Sequence, residues 1–176
     1  MPITPFHLGP AAVVKAIAPG YFSLTVFAFV QVLIDLEPLY YMAVDADPLH
    51  RFMHTFTGAT LAALLGVVVG RPLCEAALRW WNAHLDAQLA RWLRTGSKIP
   101  LTAAVSGAVI GGYGHLALDA IMHTDVLPLA PFSQTNALHG MISIEELYWG
   151  CAIAGLLGLL AAAVYVIRKH APGRAR

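Results

Sequence analysis

Four stretches of this chain are apolar for close to the length of a bilayer crossing, and that restricts the fold before any motif is read. A helix needs about 20 such residues to span the hydrocarbon core. Residues 48–70, 99–122 and 144–167 reach or approach that length, and a fourth apolar region covers residues 8–36. Only 12% of the 176 residues are charged, against roughly 25% in an average soluble domain. These features predict an all-α integral membrane helical bundle, a single domain over residues 1–176.

A net charge of +1 gives no reason to expect a nucleic-acid partner. Cys74 and Cys151 stand far apart in helical segments, so neither a disulfide framework nor a CxxC metal knuckle is available. The first residues lack the basic region of a signal peptide, and the first apolar segment is expected to stay.

Two segments are expected to be helical without spanning. Pro19-Gly20 divides the first region into a short piece, Leu8 to Ala18, and a longer one from Tyr21 to about Leu36. The short piece carries Lys15 and either lies at the interface or turns back as a re-entrant hairpin; otherwise the region is a first span. Glu37-Pro38 then reads as a turn. Residues 73–94 repeat Cys74, Leu78, Trp81, Leu85, Leu89 and Trp92 at steps of three and four, with Arg and Asp on other faces. That pattern is an amphipathic helix suited to the headgroup region. Asp47-Pro48 reads as the cap and first turn of the second span, and Ser143 with Glu146 as a capping box for the last.

Basic residues orient the bundle. Arg71, Arg79, Arg91, Arg94 and Lys98 follow the second span, and Arg168, Lys169, Arg174 and Arg176 follow the fourth. The connections Asp35 to Leu49 and His123 to Ser143 contain no Lys or Arg. The positive-inside rule makes the basic loop and tail cytoplasmic and the histidine-rich ends periplasmic or exterior.

Two stripes stepping by four lead to those ends: His50, His54, Gly58, Ala62, Gly66, Gly70, and Ala103, Gly107, Gly111, His115, Asp119. Small residues at that spacing let apolar helices approach closely. A third row, Gly150, Ala154 and Gly158, lies four-spaced from Glu146. Asp35 and Glu37 close the first region, while His123 and Asp125 follow the third span, on the same side. Ionisable groups at membrane depth are costly and default to functional roles. Imidazole and carboxylate suit zinc and related divalent ions, and His-x3-His or His-x3-Asp sets two donors on one helix face. Such an ion would activate water, with a nearby carboxylate, Glu37 or Asp119, serving as base.

Several segments carry a resemblance. Thr-Pro-Phe-His7-Leu-Gly-Pro, Leu-Ile-Asp35-Leu-Glu-Pro, His50-Arg51-Phe-Met-His54-Thr55 and Gly-His115-Leu-Ala-Leu-Asp119 followed by Pro131-Phe132 are similar to those of the YdjM-like, LexA-regulated, inner-membrane-associated metal-dependent hydrolases. The likeness spans about residues 4–132. It implies a multi-pass protein of the bacterial inner membrane, with His7, Asp35, His50, His54, His115 and Asp119 as metal ligands. Two departures bear on the ligand set. Glu37-Pro38 stands where the family often has a further acidic-histidine step, and His54 comes one residue earlier than the family's second histidine. If His7 belongs to the set, the hairpin reading of the first region is favoured, because a simple span would leave His7 at the opposite end.

The expected function is hydrolysis of a phosphoester or related ester bond, on a lipid or other phosphoester substrate, with zinc first among the candidate ions. A non-catalytic scaffold or transporter-like protein with a structural metal or proton-relay cluster is the rival, and a bis-histidine haem protein a third. Oligomeric state has no signal in the sequence.

Overall fold

A computed structural model describes residues 5–170. Every regular element among them is helical. In chain order these are α1 (Leu8–Ile17), α2 (Leu24–Ala43), α3 (Phe56–Leu65), α4 (Arg71–His84), α5 (Ala87–Leu93), α6 (Leu101–Met122) and α7 (Ile144–His170). A π-helical turn, Gly66–Gly70, joins α3 to α4. Four helices are long and apolar enough to cross a membrane: Leu24–Ala43, Phe56–His84, Leu101–Met122 and Ile144–Arg168. The protein is thus an all-helical, membrane-associated bundle. Arg174 and Arg176 of the basic tail, and the side chain of Lys169, lie outside the described residues.

α1 has 10 residues, roughly 15 Å at 1.5 Å per residue, too short to cross. It turns back on itself at Pro19-Gly20, where the Lys15 ammonium donates to the carbonyls of Pro19 and Phe22 at 2.7 and 2.9 Å. This hairpin returns His7 to the level of Asp35 and Asp119.

The small-residue stripes face α2. Val26, Val30 and Ile34 of α2 pack with Ala62, Ala63, Ala103, Ala104 and Ala108. A Cβ on Gly107 would collide with the Ser23 carbonyl, and one on Gly111 would meet the Phe27 carbonyl oxygen at 3.2 Å. The backbones are close enough for the Ser23 N–H to donate to the Ala103 carbonyl at 2.9 Å. α7 packs along α1, where a Cβ on Gly158 would meet that of Ala12 at 2.5 Å. Gly155 and Gly158 make this contact; Gly150, from the row read in sequence, faces open space. Ile153, Leu156 and Leu160 leave the rest of α7 bare and apolar, as a lipid-facing helix should be.

Three boundaries differ from the sequence reading. α2 does not stop near Leu36 but continues through Glu37 and a buried Pro38 to Ala43. The second span does not start at Asp47-Pro48; it starts at Phe56, with the Thr55 hydroxyl accepting from the Gly58 N–H at 3.0 Å. The stretch before it is pinned from outside. Asp125 takes the N–H groups of Leu49 and His50, and Glu37 takes those of Arg51 and Met53. The Arg51 and Met53 N–H groups are therefore not available for helical bonds to Asp47 and Leu49. Finally, the 73–94 helix is two. α4 continues the second span through the π turn, and α5 begins anew where Asp86 accepts from the N–H groups of Gln88 and Leu89. The capping box of α7 forms as expected, with Ser143 and Glu146 exchanging side-chain to backbone bonds.

Candidate metal centre

α2, the pinned segment and α6 converge on one buried point. α6 contributes His115 and Asp119 from its last turns, α2 contributes Asp35, and the short 3-10 turn Phe52–His54 contributes His54. His54 and His115 have 0% of their surface exposed, and Asp35 and Asp119 are buried.

The tautomers of both imidazoles follow from their outer partners. The Gln31 amide donates through Nε2 to the Gly111 carbonyl at 2.9 Å, which turns its Oε1 toward His115 Nδ1 at 2.6 Å. An acceptor there requires a proton on Nδ1 and leaves the lone pair on Nε2. Glu37 Oε2 plays the same part for His54 Nδ1, at 3.5 Å. Both Nε2 atoms therefore face one another, 3.3 Å apart, and the Asp119 carboxylate, which makes them the nitrogens available to a metal. Asp119 Oδ2 lies 3.1 Å from His54 Nε2 and 3.0 Å from His115 Nε2. Asp35 Oδ1 lies 3.4 Å from His115 Nε2.

Two carboxylates and two imidazoles facing inward form a donor set that could hold a cation between them. Uncompensated buried carboxylates cost several kcal/mol each. The donor spacing is near that of a small divalent ion's ligands, since four ligands at roughly 2.0–2.2 Å in a tetrahedron stand about 3.3–3.6 Å apart. Four of the six donor separations are 3.0 to 3.4 Å, close to the edges of such a figure. All four donor atoms lie within 4.8 Å of one another. Asp35, His54, His115 and Asp119 can hold a divalent metal, with Gln31 and Glu37 orienting the imidazoles as outer partners of metal-binding histidines do.

His7 stands beside this group. Its Nε2 is 3.4 Å from Asp119 Oδ1, and its ring meets that of His115 edge-on at 4.9 Å. Burial pushes its pKa below the usual imidazole value despite the nearby carboxylates, which favours the neutral form that ligates.

His50 is not among the four. Its Nδ1 contacts Asp125 Oδ1 at 2.9 Å, its ring stacks on His123 at 4.4 Å, and its edge meets His54 at 4.6 Å. His50, His123 and Asp125 form a second group at the rim, where His123 and Asp125 are half-buried. Burial lowers the pKa of both histidines. Burial opposes ionisation of Asp125, but the backbone N–H and ring of His50 outweigh it and hold the carboxyl below its usual value.

The structure thus gathers Asp35, His54, His115 and Asp119 closely, sets His7 against them, and assigns His50 to the rim. Glu37, read as a base, sits behind His54, its oxygens committed to the Arg51 and Met53 N–H groups. That is the place of a positioning residue. Gln31 is absent from the sequence reading. The available signal was a lone amide in an apolar span, one helical turn before Asp35. His84 and His139 are exposed and belong to neither group. Comparisons with family models, curated proteins and solved structures find no match.

Proposed function

We propose that the chain is a membrane-bound, metal-dependent hydrolase acting on a phosphoester or related ester bond, with zinc as its first candidate ion. The observation that carries this reading is the convergence of two imidazole Nε2 atoms and two buried carboxylates, each imidazole with an oxygen acceptor facing its Nδ1 from behind. A divalent ion held there supplies Lewis acidity and lowers the pKa of water it binds toward ~7. Asp35 and Asp119 balance its charge. Gln31 and Glu37 hold the imidazoles in register, and water and substrate approach from the half-exposed side of His123 and Asp125. The resemblance to the YdjM-like metal-dependent hydrolases points the same way.

An apolar cavity of about 580 Å³ between α1, α2 and α7 supports a lipid substrate. It is lined by Phe6, the neighbour of His7, and by Leu24, Ala28 and Cys151. The bacterial inner membrane, with the centre facing the periplasm or exterior, is the proposed location. Arg71, Arg79, Arg91, Arg94 and Lys98 all precede the N-terminal end of α6, the end away from His115 and Asp119. Reporter fusions at Lys98 and Asn136 test this; cytoplasmic activity at Asn136 would reverse the orientation.

One observation favours a second reading, a structural metal in a scaffold or transporter-like protein. Four protein donors with complete burial of both histidines match closed, structural zinc sites better than open ones. Turnover separates the two. The purified, zinc-loaded chain is offered chromogenic phosphoesters, carboxylic esters and phospholipid vesicles. Hydrolysis that disappears in Asp119→Ala supports the hydrolase. Bound metal with no turnover on any of these supports the structural reading.

A further inference from the structure

We infer that a second divalent cation binds at the rim, between His50, His123 and Asp125, so that the protein carries a two-ion centre; this rests on the metal reading of the buried group. The three side chains each bring one donor atom within 4.8 Å of the other two. Their arrangement is prepared by the surrounding backbone. Asp125 Oδ2 is committed to the N–H groups of Leu49 and His50, both at 3.1 Å, leaving Oδ1 turned toward the His50 ring. His123 follows Met122, the last residue of α6, and its N–H closes on the Asp119 carbonyl at 2.8 Å. The donor row of α6 therefore runs on, at steps of four, from His115 through Asp119 to His123.

A hydrogen bond alone accounts for the His50–Asp125 pair. It does not account for His123, whose imidazole lies nearly parallel to that of His50, at 4.4 Å and 27°. Two imidazoles stacked this way can present their nitrogens to one side, beside a carboxylate. The rim also touches the buried group, because the His50 ring meets His54 at 4.6 Å.

The two groups differ where chemistry would notice. The buried group has four protein donors; the rim has three, and two of its residues are half-exposed. Three protein ligands with an open position is the pattern of catalytic sites, and a pair of neighbouring ions suits the oxygens of a phosphoester. The rim ion would therefore be the one that meets substrate, the buried ion its neighbour. This selects the phosphoester within the ester class.

Zinc stoichiometry of the full-length chain in detergent, by equilibrium dialysis against buffered free Zn²⁺, tests the inference. His123→Phe keeps a ring to stack on His50 but has no donor, and His123→Ala removes both. Wild type should bind two equivalents per chain and both variants one, with His115→Ala losing the tighter equivalent instead. Two equivalents retained in both His123 variants would place the second ion elsewhere and overturn the proposal. So would one equivalent in the wild type, which leaves the buried metal reading standing. No bound zinc in the wild type removes both readings. A His123 variant that is folded but binds none would mean a single shared site and would also overturn it.

Discussion

The buried group and the rim are built from the same side chains yet held in different ways. Asp35, His54, His115 and Asp119 are fixed from three separate chain segments, and an amide and a carboxylate set the tautomers of the two imidazoles. The rim depends on a single carboxylate, Asp125, which grips both the backbone and the ring of His50. The first arrangement is rigid because a bundle of close-packed helices surrounds it; the second sits where α6 has ended and water reaches. The lesson is that donor identity does not separate a tight site from an open one. What lies behind the donors does.

Removing a buried donor should have the largest effect. His115→Ala or Asp119→Ala deletes a ligand with no substitute on the same helix face, and the tighter zinc equivalent should be lost, read by elemental analysis of the purified protein. A variant retaining that equivalent would break the distinction between the two groups. Gln31→Leu comes next. It removes the acceptor that fixes the His115 tautomer without touching a ligand, so zinc affinity should fall by about 10–100-fold, the usual effect of losing such a partner. Competition against a chelator measures it, and an unchanged affinity would show that Gln31 only packs.

Gly107→Leu tests the packing behind the buried group. The added side chain meets the Ser23 carbonyl, and overpacking of this kind costs about 1–3 kcal/mol. The melting temperature in detergent should drop, with a smaller loss of zinc affinity than for Gln31→Leu. No change in either would mean that α6 and α2 are not held backbone to backbone. His84→Ala and His139→Ala set the floor. Both are exposed and belong to neither donor group, and zinc content should match the wild type.

Much of this comparison can be read in the sequence, for a physical reason. Spans are set by local composition, and rows of small residues reveal which faces come together, so the helical bundle and the convergence of His54, His115, Asp119 and Asp35 follow from local pattern. What the pattern misses depends on distant partners. His50 and His54 look like the first turn of a helix, but Glu37 of α2 takes the Arg51 and Met53 N–H groups that a helix would need, and Asp125, beyond α6, holds those of Leu49 and His50. Gln31 becomes meaningful only once the Gly111 carbonyl is known to orient its amide. The contact row of α7 is displaced from Gly150 because α1, an element with little sequence signal of its own, decides which face is covered.

The central claim is that the buried group holds a divalent metal through two imidazoles. X-ray absorption at the zinc edge tests it most directly, on full-length His123→Phe protein loaded with one equivalent so that the rim does not contribute. The account predicts a shell of nitrogen and oxygen at about 2.0–2.2 Å, with outer scattering from two imidazole rings that is halved in the same protein carrying His115→Ala. A spectrum of hydrated zinc without imidazole scattering, or one unchanged by His115→Ala, would contradict it.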